Sequence, residues 1–410
     1  MTSAVDDVDN VKHRQMPRRF GKIEGTSRFD SHFFRVTHWQ ASSLNPMYRK
    51  ILEESFKAIF DSGINPLSMS GTKLGVFVGS YFSDSGLMSL YDIFRKNGFI
   101  ISGASATMAP NRVSYWIDGK GPSFSIDQGC TSSMACLEIA FQNIRSGVCE
   151  AALVIGDNLC VHPILNINLR HAGLLCLDGK TKCFDKNADG YVRSDAISVI
   201  FLQKAKDARR IYAEVCHIKG KYFTQPDANF LPIRKTEDLK KFFKEFYSEI
   251  DVSPDEVEFI ETSGVGIAKA ERNELEAIGQ FFGHREPIKV GSVSSNAGYT
   301  DAASGVTAIT KMCGSYQNGY LPGNLHYQEP HDIPEVLEGK VQVVTSTTTF
   351  KRGYTAVNNF SHTGVSYHVL LRGHYKQKRQ VQNIQSIPHL ILVSGRHEEA
   401  VNKIIDEFKS

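Results

Sequence analysis

The sequence contains no apolar run that approaches the length of a membrane-spanning helix, and residues 1–15 are polar and acidic. A membrane span needs about 20 mostly apolar residues, and a secretory signal needs an apolar segment near the N-terminus. The net charge is only +3, so the composition indicates neither a nucleic-acid partner nor a membrane surface. We therefore expect a cytoplasmic protein that contacts neither nucleic acid nor membrane.

The eight cysteines form no paired C-x-x-C motifs. Structural zinc sites commonly use such close spacings, and disulfide frameworks are typical of small secreted domains. The cysteine pattern therefore predicts no zinc site and fits a reducing compartment.

The rest of the composition is that of an ordinary globular protein with a sizeable core. Hydrophobic residues make up 41% of the chain and charged residues 22%. A length of 410 residues predicts two or more domains, or one large duplicated fold.

Short apolar runs alternate with segments of helical periodicity along most of the chain. The runs at 74–79, 151–156 and 196–203 predict strands buried on both faces, and the spacing of apolar residues predicts helices at 51–60 and 236–250. Further helices are predicted at 271–282 and 302–315, and further strands at 257–261, 288–293, 341–349, 366–371 and 390–395. This alternation predicts an α/β fold whose sheets are covered on both faces.

A cysteine stands at the corner between a predicted strand and a predicted helix. Residues 123–126 form the strand, Gly129 and Cys130 form the corner, and Gly147 is placed to end the helix. The helical spacing is carried by Met134, Leu137, Phe141 and Ile144. The positive end of a helix lowers the pKa of a nearby thiol, and the resulting thiolate can carry an acyl group. The pattern indicates a nucleophile; the alternative is one more small buried cysteine.

The segment Asp127-Gln128-Gly129-Cys130-Thr131-Ser132-Ser133-Met134 resembles the Asp-Thr-Ala-Cys-Ser-Ser-Ser-Leu motif of β-ketoacyl synthases. These are the condensing domains of animal fatty acid synthases and polyketide synthases. Other blocks resemble the same family in the same order, at residues 33–49, 111–123, 183–193, 291–293, 302–305, 322–326 and 394–400. The resemblance therefore extends over nearly the whole chain.

This resemblance implies a thiolase-like fold, an α/β class in which two similar halves form a layered sandwich. We place the N-terminal half at 1–232, the C-terminal half at 233–372, and the start of a linker toward an acyltransferase domain at 373–410. The family's first strand, Val-Ile-x-Gly-x-Gly, has no counterpart before residues 17–21, so we expect a chain truncated at both ends. We expect that strand to be central, so that its loss opens the sheet and impairs folding.

Three positions depart from the catalytic pattern that the resemblance implies. The family uses two histidines to polarise the enolate formed on malonyl decarboxylation, and a lysine to orient one of them. Ser263 stands at the first histidine position, Tyr299 at the second, and Ser294 at the lysine position. Serine and tyrosine donate hydrogen bonds but carry no positive charge near pH 7. Condensation is therefore predicted to be lost.

A fourth departure lies in the family's Phe-Gly-Phe-Gly-Gly turn, which supplies a backbone N–H to the oxyanion hole. The turn reads Phe360-Ser361-His362-Thr363-Gly364. The residues that replace two of the glycines carry a Cβ, so they would be strained wherever the backbone needs a positive φ. By the same resemblance, His362 falls close to Cys130. We favour a histidine without a catalytic role there, and keep a Cys–His pair for hydrolysis as the alternative.

The resemblance also implies partners and possible functions. It implies an acyl carrier protein with a phosphopantetheine-linked acyl chain, a homodimer, and no metal or organic cofactor. Three functions stay open: an acyltransferase of fatty acid synthesis that loads Cys130 and is condensation-deficient, a non-catalytic pseudo-enzyme for dimerisation or acyl-chain binding, and a weak thioesterase using Cys130 and His362.

Overall fold

The computed structural model describes residues 16–17, 19–91, 97–223, 233–283, 286–374, 392–395 and 397–409. The chain forms two compact units, Met1–His374 and Tyr375–Ser410. In the second unit, residues Glu398–Lys409 form a helix. The strand predicted at 390–395 is wrong for 392–395, which form no strand, and residues 390–391 lie outside the described residues.

The first sheet of the larger unit has four strands in the order β2-β1-β3-β4. Strand β1 is parallel to β2 and β3, and β4 is antiparallel to β3. The strands are β1 Leu74–Gly79, β2 Ser123–Ile126, β3 Ala151–Asn158 and β4 Ala196–Gln203. Every residue of β1 and β3 is buried, which explains the continuous apolar runs in the sequence.

No gap separates the inner strands of this sheet. Strand β1 pairs directly with β3, from Leu74 opposite Ala151 to Gly79 opposite Gly156. The expectation of a missing central strand is wrong, because the backbone groups that such a strand would have satisfied bond to each other. This pairing also removes the reason given for poor folding. Among the described residues, β2 and β4 are the two outer strands of the sheet.

The second sheet has six strands in the order β5-β12-β11-β6-β7-β9. Its inner part repeats the first sheet, because β7, β6 and β11 are parallel and β12 is antiparallel to β11. The strands are β5 Ala213–Tyr222, β6 Val257–Glu261, β7 Ile288–Gly291, β9 Val341–Val343, β11 Tyr354–Phe360 and β12 Val365–Gly373; β8 Tyr320–Leu321 and β10 Thr348–Thr349 form a separate pair. The single strand predicted at 341–349 is therefore two strands in different sheets.

The helices cover the sheets and fill the space between them. In the larger unit they are α1 His38–Ser43, α2 Pro46–Asp61, α3 Asp84–Tyr91, α4 Phe99–Ala104, α5 Met108–Ile117, α6 Ser132–Ser146, α7 Pro163–His171, α8 Thr236–Tyr247, α9 Ala268–Phe282, α10 Val293–Ala297, α11 Ser304–Asn318 and α12 Pro334–Leu337. Helix α13, Glu398–Lys409, belongs to the second unit. No helix in the described ranges is both long and apolar enough to cross a membrane.

Helices α6 and α11 form the middle layer of the larger unit. Each packs on strands of the first sheet, and they contact each other. Their apolar side chains join residues of both sheets in one core cluster, with Met134 of α6 and Met312 of α11 fully buried beside Phe77 and Val357. The predicted thiolase-like sandwich of two similar halves is confirmed, and Cys130 lies where α6 begins.

Candidate functional site

The cysteine corner is held by a glycine and a serine. Gly129 has a φ of +64°, and an added Cβ would lie 2.8 Å from the Ser361 hydroxyl, so only glycine fits without displacing that turn. The Gln128 N–H donates to the Ser132 hydroxyl at 2.8 Å, and that hydroxyl donates to the Gly129 carbonyl at 2.6 Å. These bonds close the turn and place Cys130 just before the first residue of α6.

The Cys130 thiol is buried and protonated at neutral pH. Burial, together with the nearby Asp301 carboxylate, raises the pKa of Cys130 to about 12, and the Tyr299 hydroxyl and the His362 backbone N–H offset only part of that rise. The expected lowering of this pKa by the helix is therefore wrong, because desolvation of the sulfur outweighs it. A base must take the thiol proton before the sulfur can attack.

An imidazole lies within reach of that thiol. The His362 Nδ1 is 3.4 Å from the Cys130 Sγ, and the His362 Nε2 is 3.0 Å from the Tyr81 hydroxyl. Burial lowers the pKa of His362 below its usual 6.5, so the ring is neutral at neutral pH and can accept a proton. Tyr81 lies two residues beyond β1, and no sequence motif pointed to it.

The turn that carries His362 is built without strain at its substituted positions. Ser361 and Thr363 do not adopt a positive φ, whereas Gly364 does, at +94°. The expected strain is therefore absent. The buried Arg234 guanidinium donates to the Ser361 carbonyl, to the Val365 carbonyl at 2.6 Å, and to the Ser366 hydroxyl at 2.9 Å. Arg234 fixes this turn, and sequence reasoning missed it.

Ser263 and Tyr299, which the resemblance places at the two histidine positions of the family, make contacts with the backbone and the core. The Ser263 hydroxyl accepts from the Phe360 N–H at 3.2 Å, and the Ser263 N–H donates to Glu274 at 3.1 Å. Tyr299 is 3% exposed and packs its ring 4.7 Å from the ring of Tyr191. Neither side chain offers a cation to a substrate at Cys130.

Four of the five predicted site residues line one cavity of about 70 Å³, namely Cys130, Ser263, Tyr299 and His362. Ser294 does not line it; its N–H donates to the Ser292 hydroxyl at 3.3 Å within the turn before α10. The remaining lining is mostly apolar, from Leu174, Tyr191, Ile233, Leu239, Val265, Ile267, Ala270 and Phe360, together with Arg234, Glu271 and Glu274. A cavity of this size has room for a few water molecules beside the sulfur.

One group of potential metal ligands occurs in the described part of the chain, and none of its members lines this cavity. It consists of Cys176, Asp178 and Asp189, and both carboxylates are exposed. Lys182 pairs with Asp178 at 3.1 Å and with Asp189 at 2.8 Å. Because both aspartates pair with this lysine, the group is explained as an ordinary cluster of surface ion pairs.

Two similar α/β halves with a cysteine at the strand-to-helix corner define a thiolase-like protein. Family models match almost the whole chain: "Beta-ketoacyl synthase, N-terminal domain" over residues 2–208, "Beta-ketoacyl synthase, C-terminal domain" over 215–328, and "Ketoacyl-synthetase C-terminal extension" over 330–410. The chain belongs to the β-ketoacyl synthase family.

Individual relatives agree with this assignment. The chain is 37% identical to a goose (Anser anser anser) fatty acid synthase over 309 residues, which is 74% of this chain and 87% of the goose sequence. It is 28% identical to a phenolphthiocerol/phthiocerol polyketide synthase of Mycobacterium bovis, over 91% of this chain and only 20% of that protein. The identity to the goose protein makes this a ketosynthase domain of the fatty acid synthase type.

Solved ketosynthase structures share the fold. An oxazolomycin ketosynthase domain of Streptomyces albus superposes with a TM-score of 0.82 over 93% of this chain and 68% of that domain, at 24% identity. The ketosynthase from module 6 of the Bacillus subtilis bacillaene synthase superposes with a TM-score of 0.78 over 86% of this chain and 64% of that one, also at 24% identity. At this identity the structures support the fold alone.

Proposed function

We propose that this ketosynthase domain accepts acyl groups on Cys130 from a phosphopantetheine thioester and does not condense them with malonate. The observation that carries the proposal is the composition of the cavity around Cys130. The nucleophile and its elbow are present, whereas Ser263 and Tyr299 stand at the two histidine positions. The alternative is a non-catalytic domain for dimerisation or acyl-chain binding. Acylation of Cys130 distinguishes the two, because a non-catalytic domain would not become acylated.

Acyl transfer and condensation place different demands on the site. Acyl transfer needs a nucleophile and a base, and Cys130 with His362 at 3.4 Å meets both. Condensation also needs polarising groups at the enolate oxygen, and the hydroxyl of Ser263 is already used by the Phe360 N–H. Lys311, a cation of the same half, forms a buried pair with Glu261 at 2.6 Å and does not line the cavity.

We expect covalent labelling to be confined to Cys130. An epoxide inhibitor of the ketosynthase class forms a stable thioether, and intact-mass measurement with peptide mapping should show one adduct on Cys130. Cys130→Ala should abolish the adduct, and Cys136→Ala, a buried cysteine of α6 outside the cavity, should retain it. Labelling spread over several cysteines, or none, would contradict acyl loading at this site.

A homodimer is part of this proposal, and we place its interface on one side of the first half. Strand β2 is an outer strand with an unpaired edge among the described residues. Helix α5 packs on this strand, α4 contacts α5, and α3 contacts α4. These helices expose apolar side chains, including Ile101 and Tyr115, each 74% exposed. An open edge beside exposed apolar residues favours pairing of two copies about a twofold axis.

The pair Ile101→Glu and Tyr115→Glu should convert the dimer to a monomer. Two carboxylates at an apolar interface must be desolvated, and each substitution should weaken the dimer about tenfold or more. Size-exclusion chromatography with light scattering measures the change. Leu337→Glu serves as the control, since this equally apolar residue is exposed on α12 of the other half. A monomeric wild type, or a variant that remains dimeric, would refute this interface.

The domain boundaries and the location of the protein complete the proposal. We divide the chain into ketosynthase halves at 1–232 and 233–372, followed by the start of a linker at 373–410 that leads toward an acyltransferase domain. The eight cysteines form no disulfides in the structure, which favours a reducing cytoplasm. The partner would be an acyl carrier protein, whose phosphopantetheine arm presents the thioester to Cys130.

A further inference from the structure

We propose that this site hydrolyses acyl thioesters: Cys130 is the nucleophile, His362 the general base, and Tyr81 the residue that positions His362. The acyl group loaded on Cys130 then leaves as a free carboxylic acid. The inference rests on acyl loading at Cys130 as proposed above, and it adds a fate for the acyl group and a residue, Tyr81, that acts in it.

The contacts assign a role to each of the three side chains. The Cys130 thiol is neutral, so it needs a base within hydrogen-bonding reach, and the His362 Nδ1 at 3.4 Å is that base. If Nδ1 accepts the thiol proton, Nε2 carries the ring hydrogen and donates it to the Tyr81 oxygen at 3.0 Å. A nucleophile, a base and a group that orients the base are the arrangement that activates a nucleophile in hydrolytic enzymes.

The backbone on both sides holds the imidazole in place. Arg234 bonds to the carbonyls of Ser361 and Val365, at the two ends of the turn that carries His362. On the other side, the Ser361 hydroxyl donates to the Gln128 carbonyl at 3.4 Å, which ties this turn to the cysteine elbow. The backbone segments that carry Cys130 and His362 are therefore tied to each other, which helps to keep the two side chains within reach.

The reaction balances with water as the second reactant. In acylation, the Cys130 sulfur forms a bond to the thioester carbonyl carbon and the bond to the leaving sulfur breaks. His362 takes the Cys130 proton and returns it to the departing thiol. In deacylation, a water in the cavity attacks the acyl carbon, His362 takes its proton, and the Cys130 sulfur leaves. The products are a thiol and a carboxylic acid, and Cys130 regains its proton from His362.

The resemblance to ketosynthases places a phenylalanine at the position of His362. An apolar ring there leaves an acylated cysteine without a base for water, so the acyl group waits for a carbon nucleophile. In this chain the groups that would polarise the enolate are replaced by Ser263 and Tyr299. The imidazole of His362 now lies beside Cys130 and can act as a base. Both changes direct the acyl group from condensation toward water.

The experiment follows acetyl and octanoyl thioesters of N-acetylcysteamine in water enriched in ¹⁸O. We expect the unmodified protein to release free acid with one ¹⁸O, and Cys130→Ala to release none. His362→Phe should lower the rate by about a hundred- to ten-thousandfold, the usual contribution of a general base, while any acyl-Cys130 that forms persists. His38→Phe, an exposed histidine, is the matched control and should not change the rate. His362→Gln gives the same comparison should the phenylalanine variant fold poorly.

The positioning role of Tyr81 has its own measurement. Tyr81→Phe should lower kcat about tenfold with little change in KM, since Tyr81 acts through His362 and not on the substrate. The rate should rise with pH as His362 loses its proton, with a midpoint below 6.5. The charged groups around this ring are Asp301 and Asp127, which favour the imidazolium, and Arg234, which opposes it. Losing the Tyr81 oxygen should move the midpoint to lower pH, whereas Tyr320→Phe, on an exposed tyrosine, should leave it in place.

The outcomes separate this inference from the function on which it rests. An acyl-Cys130 as stable in the unmodified protein as in His362→Phe would overturn hydrolysis and leave acyl loading intact. No acid and no adduct would overturn both. Acid released equally by Cys130→Ala would also overturn the inference, because the reaction would then take place without this nucleophile.

Discussion

Malonyl-carrier protein should not be decarboxylated and condensed with acyl-Cys130 at a measurable rate. The enolate that forms on decarboxylation needs polarising donors, and the resemblance places Ser263 and Tyr299 where the family has its two histidines. Removal of a single oxyanion donor typically lowers the rate about a hundred- to a thousandfold, and two donors and an orienting lysine are altered. Such losses are not additive, but each alone is large. An assay with radiolabelled malonyl thioester measures the rates of decarboxylation and condensation, with an intact ketosynthase as the reference.

Restoring the three groups is the sharper half of this experiment. The combination Ser263→His, Tyr299→His and Ser294→Lys should recover some decarboxylation, while Ser295→Lys in place of the last change should not. The recovery should be partial, because Ser263 accepts the Phe360 N–H and an imidazole must replace that bond. Condensation by the unmodified chain at a rate near that of an intact ketosynthase would show that the altered motifs do not abolish condensation.

The second large effect concerns stability and comes from Asp157 of β3. This residue is 0% exposed, and neither carboxyl oxygen has a hydrogen-bond partner among the described residues. Burial raises the pKa of Asp157 to about 7, and the nearby Ser80 hydroxyl offsets only part of that rise. Because the folded chain holds this proton up to about pH 7 and the unfolded chain releases it near pH 4, stability should fall as the pH rises between those values.

Asp157→Asn should therefore stabilise the protein clearly more at pH 8 than at pH 5, because most of the fall in stability lies between those two pH values. A shift of about three pKa units corresponds to about 4 kcal/mol as an upper bound. Urea unfolding of both proteins at the two pH values measures this difference. Asp207→Asn, on an exposed aspartate, is the control and should shift neither curve. An equal effect of Asp157→Asn at pH 5 and pH 8 would rule out titration of Asp157 as the cause.

Glu271 and Glu274 contribute to the same trend in the unmodified protein. Burial raises the pKa of each carboxyl to about 7. Backbone N–H groups offset part of the rise for Glu271, and the Asn358 amide and the Ser263 N–H offset part of it for Glu274. The residual fall in stability with pH in Asp157→Asn should therefore be smaller than in the unmodified protein but not zero. These two carboxyls also border the cavity, so substituting them would change the site as well as the stability.

Sequence periodicity located the buried strands well and the outer ones poorly. The runs at 74–79 and 151–156 are apolar because both faces of those strands are covered, and each is a strand in the structure. Strand β5, Ala213–Tyr222, was not predicted, since it lies at the edge of its sheet and its lysines and glycine break the apolar run. The strand predicted at 341–349 is split because its two ends join different sheets.

The candidate site shows the same limit more sharply. Cys130 was predicted from a local strand-to-helix corner, which is a pattern within a few consecutive residues. Tyr81 and Arg234 were missed because each is far along the chain from its partner. Tyr81 is 281 residues from His362, and Arg234 is 127 residues from Ser361. Contacts of that kind carry no local signature.

The sequence by itself determined the family and the α/β layering, and its resemblance to the family led to the proposed nucleophile and the proposed loss of the condensing groups, because each is a matter of residue type in a local pattern. Only the tertiary structure decided that the first sheet closes without a gap, that burial keeps the Cys130 thiol protonated, and that His362 lies against it with Tyr81 behind. The physical reason is that desolvation and long-range hydrogen bonds depend on which surfaces meet, and the folded chain alone brings those surfaces together.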